Sequence, residues 1–187
     1  WSQRYGQDGY ILRAFEKARI ADPEAVLFLN EYNQESVPAK GAQFLKLVER
    51  LLKADCPLQG VGLQSHLWID IPEGVIAAYM REISQFGLPI HVSELDCTLR
   101  TENRLDLRSQ ADRIAAQAAR VTELASAFAT LPRAQQFAFP VWGLRDTDSW
   151  YRQGDKDDGR DKPLPFDSFG RPNPMAAAIA AGFKTPA

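Results

Sequence analysis

Apolar positions along the chain predict alternating helices and strands. Helical spacing of apolar residues predicts five helices, at about residues 9–21, 38–54, 72–86, 107–129 and 174–182. Between them, mainly apolar stretches predict four buried strands, at about residues 25–29, 60–63, 90–95 and 136–142, of which the first is a continuous apolar run. We expect Asp8 to cap the first helix and the first strand to be buried on both faces. The alternation predicts an α/β fold with parallel strands and right-handed crossovers.

Polar or aromatic residues stand at the end of each predicted strand. In chain order they are Asn30 and Glu31, Gln64 and His66, Glu94 and Asp96, and Trp142. Since catalytic side chains collect at the C-terminal ends of parallel strands, the four ends together predict one functional face. Strand alternation puts Glu94 and Asp96 on one side of their strand and Leu95 on the other. The alternative is that both carboxylates merely pair with cations in a loop. The polar and aromatic residues at the other strand ends favour a functional role for them.

Composition narrows the class of protein. A chain of 187 residues suits one domain with a real core. The net charge of −2, with both signs mixed, argues against nucleic acid or an anionic membrane surface as the main partner. No apolar run approaches the length that spans a bilayer. The start at Trp1 shows no leader and looks like the inside of a domain, so the compartment stays open.

The two cysteines are predicted to be free thiols. Cys56 precedes one strand and Cys97 follows the next, so in a parallel sheet they lie at opposite ends, about 23 Å apart. That separation is far beyond the reach of a disulfide. Neither cysteine has metal-ligand spacing, and we expect neither a metal nor a cofactor. Residues 145–165 form a long polar loop, which is more often functional than accidental.

Motifs accompany the four strands and precede the last helix. They are Asn30-Glu31-Tyr32-Asn33, Gly60-Val61-Gly62-Leu63-Gln64-Ser65-His66, Ser93-Glu94-Leu95-Asp96, Trp142-Gly143 with Asp146 and Ser149-Trp150, and Pro163-Leu164-Pro165-Phe166-Asp167 with Arg171-Pro172-Asn173-Pro174-Met175. Taken in order, they resemble the motifs of glycoside hydrolase family 10, the endo-β-1,4-xylanase family. The first motif departs from the family pattern, with Glu31 in place of Asp.

The resemblance implies a (β/α)8 TIM barrel of which this chain covers about strands five to eight with their helices, a half barrel. Such barrels typically need about 250 residues. Residues 1–187 would then be the C-terminal half of a catalytic domain whose N-terminal half is absent. We expect the general acid/base glutamate of the family, in a Trp-x-x-x-Asn-Glu motif, to lie upstream of Trp1. The resemblance also suggests a secreted or periplasmic parent enzyme.

The resemblance gives three residues catalytic roles. Glu94 would be the nucleophile of retaining hydrolysis, which uses two carboxyl groups about 5–5.5 Å apart. His66 would donate a hydrogen bond to it, and Asp96 would orient the imidazole from the same face. A lone histidine is more often a packed or surface residue, but the strand-end position beside Glu94 favours function.

Further residues would bind substrate. Gln64 resembles the family residue that contacts the acid/base, and Asn30 is a weaker candidate that could simply cap its strand. Trp142 and Trp150 resemble the aromatic lid over the sugar, since flat sugar faces stack on indole. The alternative for Trp142 is a core residue at the end of a buried strand. We also expect Asp146 and Arg152 to form an ion pair in the loop.

These observations support three hypotheses. The chain is the C-terminal half of a retaining endo-β-1,4-xylanase that acts on xylan or xylo-oligosaccharide, and alone has negligible activity because it lacks the acid/base. Alternatively, it is a truncated half barrel that binds carbohydrate or serves as a structural, oligomerising domain. In the third, the missing half barrel or a homodimer covers its open sheet, which has two unpaired edges and an exposed apolar face.

Overall fold

The computed structural model describes residues 1–101, 105–154 and 157–184 of the chain. The helices are α1 (Ser2–Tyr5), α2 (Gly9–Ala21), α3 (Pro38–Lys53), α4 (Val75–Ser84), α5 (Gln110–Ala129) and α6 (Pro174–Lys184). The strands are β1 (Phe28–Glu31), β2 (Gly60–Leu63), β3 (His66–Trp68), β4 (Ile90–Val92), β5 (Asp96–Thr98) and β6 (Gln136–Ala138). Short 3-10 turns cover Arg133–Gln135, Asp146–Asp148 and Trp150–Arg152.

Four of the strands form one parallel sheet in the order β1-β2-β4-β6. Phe28 pairs with Gly60, Val61 pairs with Ile90, and the register between β4 and β6 shifts after Ile90. This arrangement confirms the predicted α/β fold with parallel strands. Two further strands, β3 and β5, form a small parallel sheet just past the ends of β2 and β4, which the sequence did not predict.

The core lies between the large sheet and the helices. Val61 and Leu63 of β2 and Ile90 and Val92 of β4 are fully buried. They belong to one apolar cluster with buried residues of three helices: Val48 and Leu51 of α3, Ile76 and Ile83 of α4, and Val121 and Leu124 of α5. Each such side chain contributes about 1.5–3 kcal/mol through burial. The core therefore fixes the sheet against its helices and gives the strand ends a rigid base.

The opposite, concave face of the sheet carries an aromatic cluster. The Phe28 ring lies 4.5 Å from Phe137 and 5.8 Å from His91, measured between ring centroids. A Cβ at Gly60 would collide with the Phe28 ring, so glycine lets the ring pack closely against β2. Phe137 is 50% exposed. The concave face is thus apolar and partly open.

The prediction that β1 is buried on both faces was wrong, and the prediction that Asp8 caps α2 holds for its position but not for its hydrogen bonds. The strand begins at Phe28, and Val26 is exposed, because β1 lies at an edge of the sheet and is not buried on both faces. Asp8 occupies the position before α2 but makes no capping hydrogen bond. Its carboxylate instead accepts two hydrogen bonds from Arg50 of α3, at 2.6 and 3.0 Å. This ion pair joins α2 to α3.

Helix α5 begins three residues later than predicted, because Ser109 and Asp112 form a capping box. The Ser109 hydroxyl accepts from the Asp112 N–H, and the Asp112 carboxylate accepts from the Ser109 N–H, both at 3.2 Å. Cys56 and Cys97 are free thiols, as predicted, and both are buried. In the described part of the chain, no helix has the length and apolar character needed to cross a membrane.

The polar loop after β6 is anchored by two buried carboxylates. Asp146 accepts a hydrogen bond from the Leu164 N–H at 3.1 Å, and Asp161 accepts from the Leu99 N–H at 2.8 Å. The predicted ion pair between Asp146 and Arg152 is not formed, because Arg152 binds Asp157 at 2.7 Å instead. The loop is therefore tied to β5 and holds its aromatic residues at the strand ends.

Candidate active site

The predicted site residues meet where β2 and β4 of the large sheet give way to the small sheet. Glu94 lies in the link between β4 and β5, and His66 begins β3. His66 pairs with Asp96 in the register of the small sheet, so the two backbones run side by side. Leu95 is fully buried, whereas Glu94 is partly exposed. The small sheet therefore places His66 between the two carboxylates.

A chain of polar contacts runs from Glu94 to the loop. His66 Nε2 lies 3.4 Å from Glu94 Oε2, and His66 Nδ1 lies 3.0 Å from Asp96 Oδ1. Trp150 Nε1–H donates a hydrogen bond of 2.8 Å to the other oxygen of Asp96. Asp96 is completely buried. Because both of its oxygens face nitrogen atoms, Asp96 holds the imidazole and the indole in place.

Burial and polar contacts shift the pKa values of His66 and Asp96 in opposite directions. Burial lowers the pKa of His66, but its contacts with Asp96 and Glu94 outweigh this, and the pKa is raised above its ordinary value. Burial raises the pKa of Asp96, and the hydrogen bonds from His66 and Trp150 offset part of that rise. His66 therefore keeps its proton to higher pH than a solvated histidine, and donates toward carboxylate oxygen.

Asn30 contacts the other side of Glu94. Its Nδ2–H donates to Glu94 Oε1 at 3.3 Å, while the Ser93 hydroxyl donates to Asn30 Oδ1 at 3.0 Å. A Cβ at Gly62 would collide with the Asn30 side chain, so glycine makes room for it. Each oxygen of Glu94 thus faces one donor group, from Asn30 and from His66, and the carboxylate is oriented from two sides.

Two half-exposed indoles flank His66. The rings of Trp142 and Trp150 lie 6.3 and 5.5 Å from the imidazole, between centroids, and are 49% and 52% exposed. The core alternative for Trp142 was therefore wrong: its backbone N–H bonds to the Leu95 carbonyl at 2.9 Å, and its ring stays outside the core. The site combines an oriented carboxylate with flat apolar surfaces.

Comparison with known proteins identifies the family. The model of glycosyl hydrolase family 10 matches residues 1–182. The chain belongs to glycosyl hydrolase family 10. The proteins to which this family-10 chain is similar include endo-beta-1,4-xylanase Xyn10C of Cellvibrio japonicus, at 31% identity over 91% of the chain, and an endo-1,4-beta-xylanase of Geobacillus stearothermophilus, at 32% identity over 93%. It spans 30% and 53% of their respective lengths.

Solved structures of xylanases are similar to this chain as well. A thermostable variant of the Cellvibrio japonicus xylanase Xyn10A superposes with a TM-score of 0.85 at 30% identity, covering 97% of this chain and 56% of that one. A variant of xylanase A from P fluorescens subsp. cellulosa, in complex with xylopentaose, gives the same TM-score and identity over 98% of this chain and 57% of its own. The four parallel strands with their helices are thus about half of the family's (β/α)8 barrel, as predicted.

Of the predicted site residues of this family-10 chain, most share the network just described. The structure brings together Asn30, His66, Glu94, Asp96 and Trp150 through polar contacts, with the Trp142 ring beside them. Gln64 stands apart: its backbone N–H donates to the Glu31 carbonyl at 2.9 Å, and its side chain makes no hydrogen bond to any residue that the structure describes.

Sequence reasoning missed one contributor to the network and one buried carboxyl group beside it. Ser93 orients the amide of Asn30, although the sequence singled it out only as part of a motif. Glu35 is 1% exposed and lies near His66. Flanking polar residues, Gln34 and Ser36, gave no sign that a carboxyl group there would be buried.

Proposed function

We propose that the protein containing this chain is a retaining endo-β-1,4-xylanase in which Glu94 is the nucleophile. The observation that carries the proposal is the setting of Glu94 at the strand ends, where one oxygen faces Asn30 at 3.3 Å and the other faces His66 at 3.4 Å. Family membership and the names of the relatives, which are xylanases, give the substrate class: xylan or xylo-oligosaccharide.

The chemistry takes place in two displacements. Glu94 attacks the anomeric carbon of a xylose unit, and the bond from that carbon to the leaving oxygen breaks as an ester to Glu94 forms. Water then displaces Glu94 and restores the original anomeric configuration. Asn30 and His66 keep the carboxylate aimed at the carbon, while Asp96 holds His66 in place. Trp142 and Trp150 offer faces on which sugar rings stack.

The proton donor for the leaving group comes, on this proposal, from residues outside the chain. Retaining hydrolysis needs a second carboxyl group about 5–5.5 Å from the nucleophile. Asp96 is unsuited to that role because it is fully buried behind His66 and both of its oxygens are engaged. Gln64, whose side chain bonds to no residue in the described part of the chain, would contact the incoming acid/base. Alone, the chain would therefore have negligible activity on xylan.

The concave face gives a reason to expect a structural partner. Phe137 is half exposed there beside Phe28 and His91, and β1 and β6 are edge strands of the sheet. Apolar surface of this kind is normally covered, and unpaired strand edges favour association. We propose that further barrel strands cover this face, with a second copy of the chain as the alternative. Sedimentation mass distinguishes the two.

A substrate that needs no acid tests the proposal. In 2,4-dinitrophenyl β-xylobioside the phenolate leaves without a proton, so Glu94 alone carries the first displacement. We expect slow phenolate release that azide accelerates, because azide attacks the anomeric carbon, displaces Glu94 and yields β-xylobiosyl azide. Glu94→Gln should abolish release. Full activity in that variant would show that Glu94 is not the nucleophile.

The second candidate function is carbohydrate binding without catalysis. It is favoured by the half-exposed indoles of Trp142 and Trp150, which would hold sugar whether or not a bond is broken. Calorimetry with xylotetraose separates the two functions. Binding with no phenolate release from the dinitrophenyl substrate would support the binding domain, whereas release that depends on Glu94 would support the enzyme.

A further inference from the structure

A cluster of buried polar side chains lies directly behind the site. Gln34, Glu35, Ser65 and Tyr79 are all buried, three of them almost completely. Among the residues that the structure describes, Gln34 Oε1, both Glu35 carboxyl oxygens, Ser65 Oγ and the Tyr79 hydroxyl have no hydrogen-bond partner. Because buried polar groups are normally satisfied, so many in one place call for a physical reason.

The cluster is anchored to β2 and to two helices. Gln34 Nε2–H donates to the Gly62 carbonyl at 2.9 Å, which ties the cluster to the strand that leads to the site. A Cβ at Gly41 of α3 would lie 2.5 Å from the Gln34 carbonyl and 2.9 Å from the Tyr79 ring of α4. The cluster is therefore tightly enclosed, and its members have little freedom to turn toward solvent.

Ser65 links the cluster to the catalytic network. It joins the end of β2 to His66, the first residue of β3, and has φ +59°, in the left-handed region that non-glycine residues disfavour. Its carbonyl accepts from the Asp96 N–H at 3.3 Å. The conformation of Ser65 therefore sets the direction in which the chain continues into β3, and with it the position of His66 beside Asp96.

Glu35 lies against this turn. The hydroxyl and N–H of Ser65 face its carboxyl group without closing a hydrogen bond of normal geometry, and His66 lies within range of its charge. Burial raises the pKa of Glu35, and its own backbone N–H, Ser65 and His66 offset that rise in part. From α4, Tyr79 also faces it. The buried carboxyl group of Glu35 therefore lies beside the left-handed turn at Ser65.

We propose that Glu35 is a positioning residue for His66, acting through the left-handed turn at Ser65. It touches neither substrate nor the reacting atoms. By holding the turn, it keeps the imidazole 3.4 Å from Glu94 and 3.0 Å from Asp96. The catalytic meaning of this role rests on the proposed function, but the positional claim concerns His66 and is measured without activity.

The test is the titration of the imidazoles by NMR. The chain has two histidines, and His91 is an internal control because it lies against the rings of Phe28 and Phe137 on the concave face. If Glu35→Gln releases the turn, His66 moves away from its carboxylates and its pKa falls by about half a unit or more, while that of His91 stays. Glu49→Gln, an exposed carboxylate of α3, is the matched control and should change neither.

A second substitution separates positioning from direct charge. Glycine adopts the left-handed conformation at no steric cost, so Ser65→Gly in the Glu35→Gln background should restore the pKa of His66. A direct charge effect of Glu35 would not be restored, and that result would overturn the proposal. An unchanged pKa of His66 in Glu35→Gln would overturn it as well. Glu35→Asp, which keeps the carboxyl group and shortens its reach, should lower the pKa of His66 too.

Phenolate release from 2,4-dinitrophenyl β-xylobioside gives the functional reading. We expect Glu35→Gln to lower kcat about tenfold with KM little changed, and Ser65→Gly to recover most of the loss. If Glu94→Gln released phenolate as fast as the unmodified chain, the proposed function would fail, yet the histidine titration would still decide the role of Glu35. Circular dichroism confirms that each variant is folded at the temperature of the titration.

Discussion

Asp96→Asn tests how the buried carboxylate controls His66. The substitution keeps the size and shape of the side chain but removes its charge. It replaces one of the two carboxylate oxygens by an NH2 group, which cannot accept a hydrogen bond. Asp96 now accepts from His66 at 3.0 Å and from Trp150 at 2.8 Å. In the variant only one of these donors keeps an acceptor. A hydrogen bond to a charged group contributes about 1.5–3 kcal/mol. If that contribution is lost from the transition state, kcat should fall by about 10- to 150-fold.

The pKa of His66 should also fall. Burial is the largest influence on it and lowers it, and the contacts with Asp96 come next and raise it. Without the charge of Asp96, only Glu94 opposes burial. We therefore expect the pKa of His66 to drop below the ordinary value of about 6.5. In the unmodified chain it lies above that value.

Two measurements check this prediction: NMR titration of His66 and kcat for 2,4-dinitrophenyl β-xylobioside. Asp148→Asn is the matched control, because Asp148 is a partly exposed carboxylate of the same loop region that pairs with Arg145 at 2.8 Å. The control should change neither quantity. A pKa of His66 that stayed above its ordinary value in Asp96→Asn would refute the assigned chain of contacts.

Three further predictions concern the surroundings of the network. Trp150→Phe keeps an aromatic face but loses the hydrogen bond to Asp96, so kcat for the dinitrophenyl substrate should fall about tenfold while xylotetraose binding by calorimetry changes little. Gly62→Ala places a Cβ against Asn30 and should lower kcat at least about tenfold, because Asn30 is pushed away from Glu94. An unchanged kcat would show that Asn30 has no part in orienting Glu94. Asp161→Asn weakens a buried anchor of the polar loop and should lower the free energy of unfolding by about 1–3 kcal/mol in urea titration.

The strand ends were predictable because the pattern that makes parallel strands also fixes where they end. Mainly apolar stretches such as Leu27 to Leu29 identified the strands, and the polar residues that follow each stretch had to share one edge of the sheet. That logic predicts Glu94 and His66 at the same edge, and the small sheet of β3 and β5 then sets the contact between them.

The small sheet of β3 and β5 was missed because its short strands carry no periodic signal separate from that of β2 and β4. The bond between Trp150 and Asp96 was missed for a different reason: it spans 54 positions and depends on how the loop folds back. Arg152 pairs with Asp157, five residues on, and not with Asp146, because the path of the loop decides which of two nearby carboxylates it meets. The sequence gives no signal for that path.

The most direct test of the central claim is to trap the glycosyl-enzyme ester. The chain is incubated with 2,4-dinitrophenyl 2-deoxy-2-fluoro-β-xylobioside. Its fluorine slows both displacements, but the good leaving group keeps the first one fast enough for the ester to accumulate. Intact mass then shows whether one fluoroxylobiosyl unit is added, and peptide mapping locates it. The account predicts a single ester on Glu94 that is absent in Glu94→Gln. Attachment at another carboxylate would contradict it.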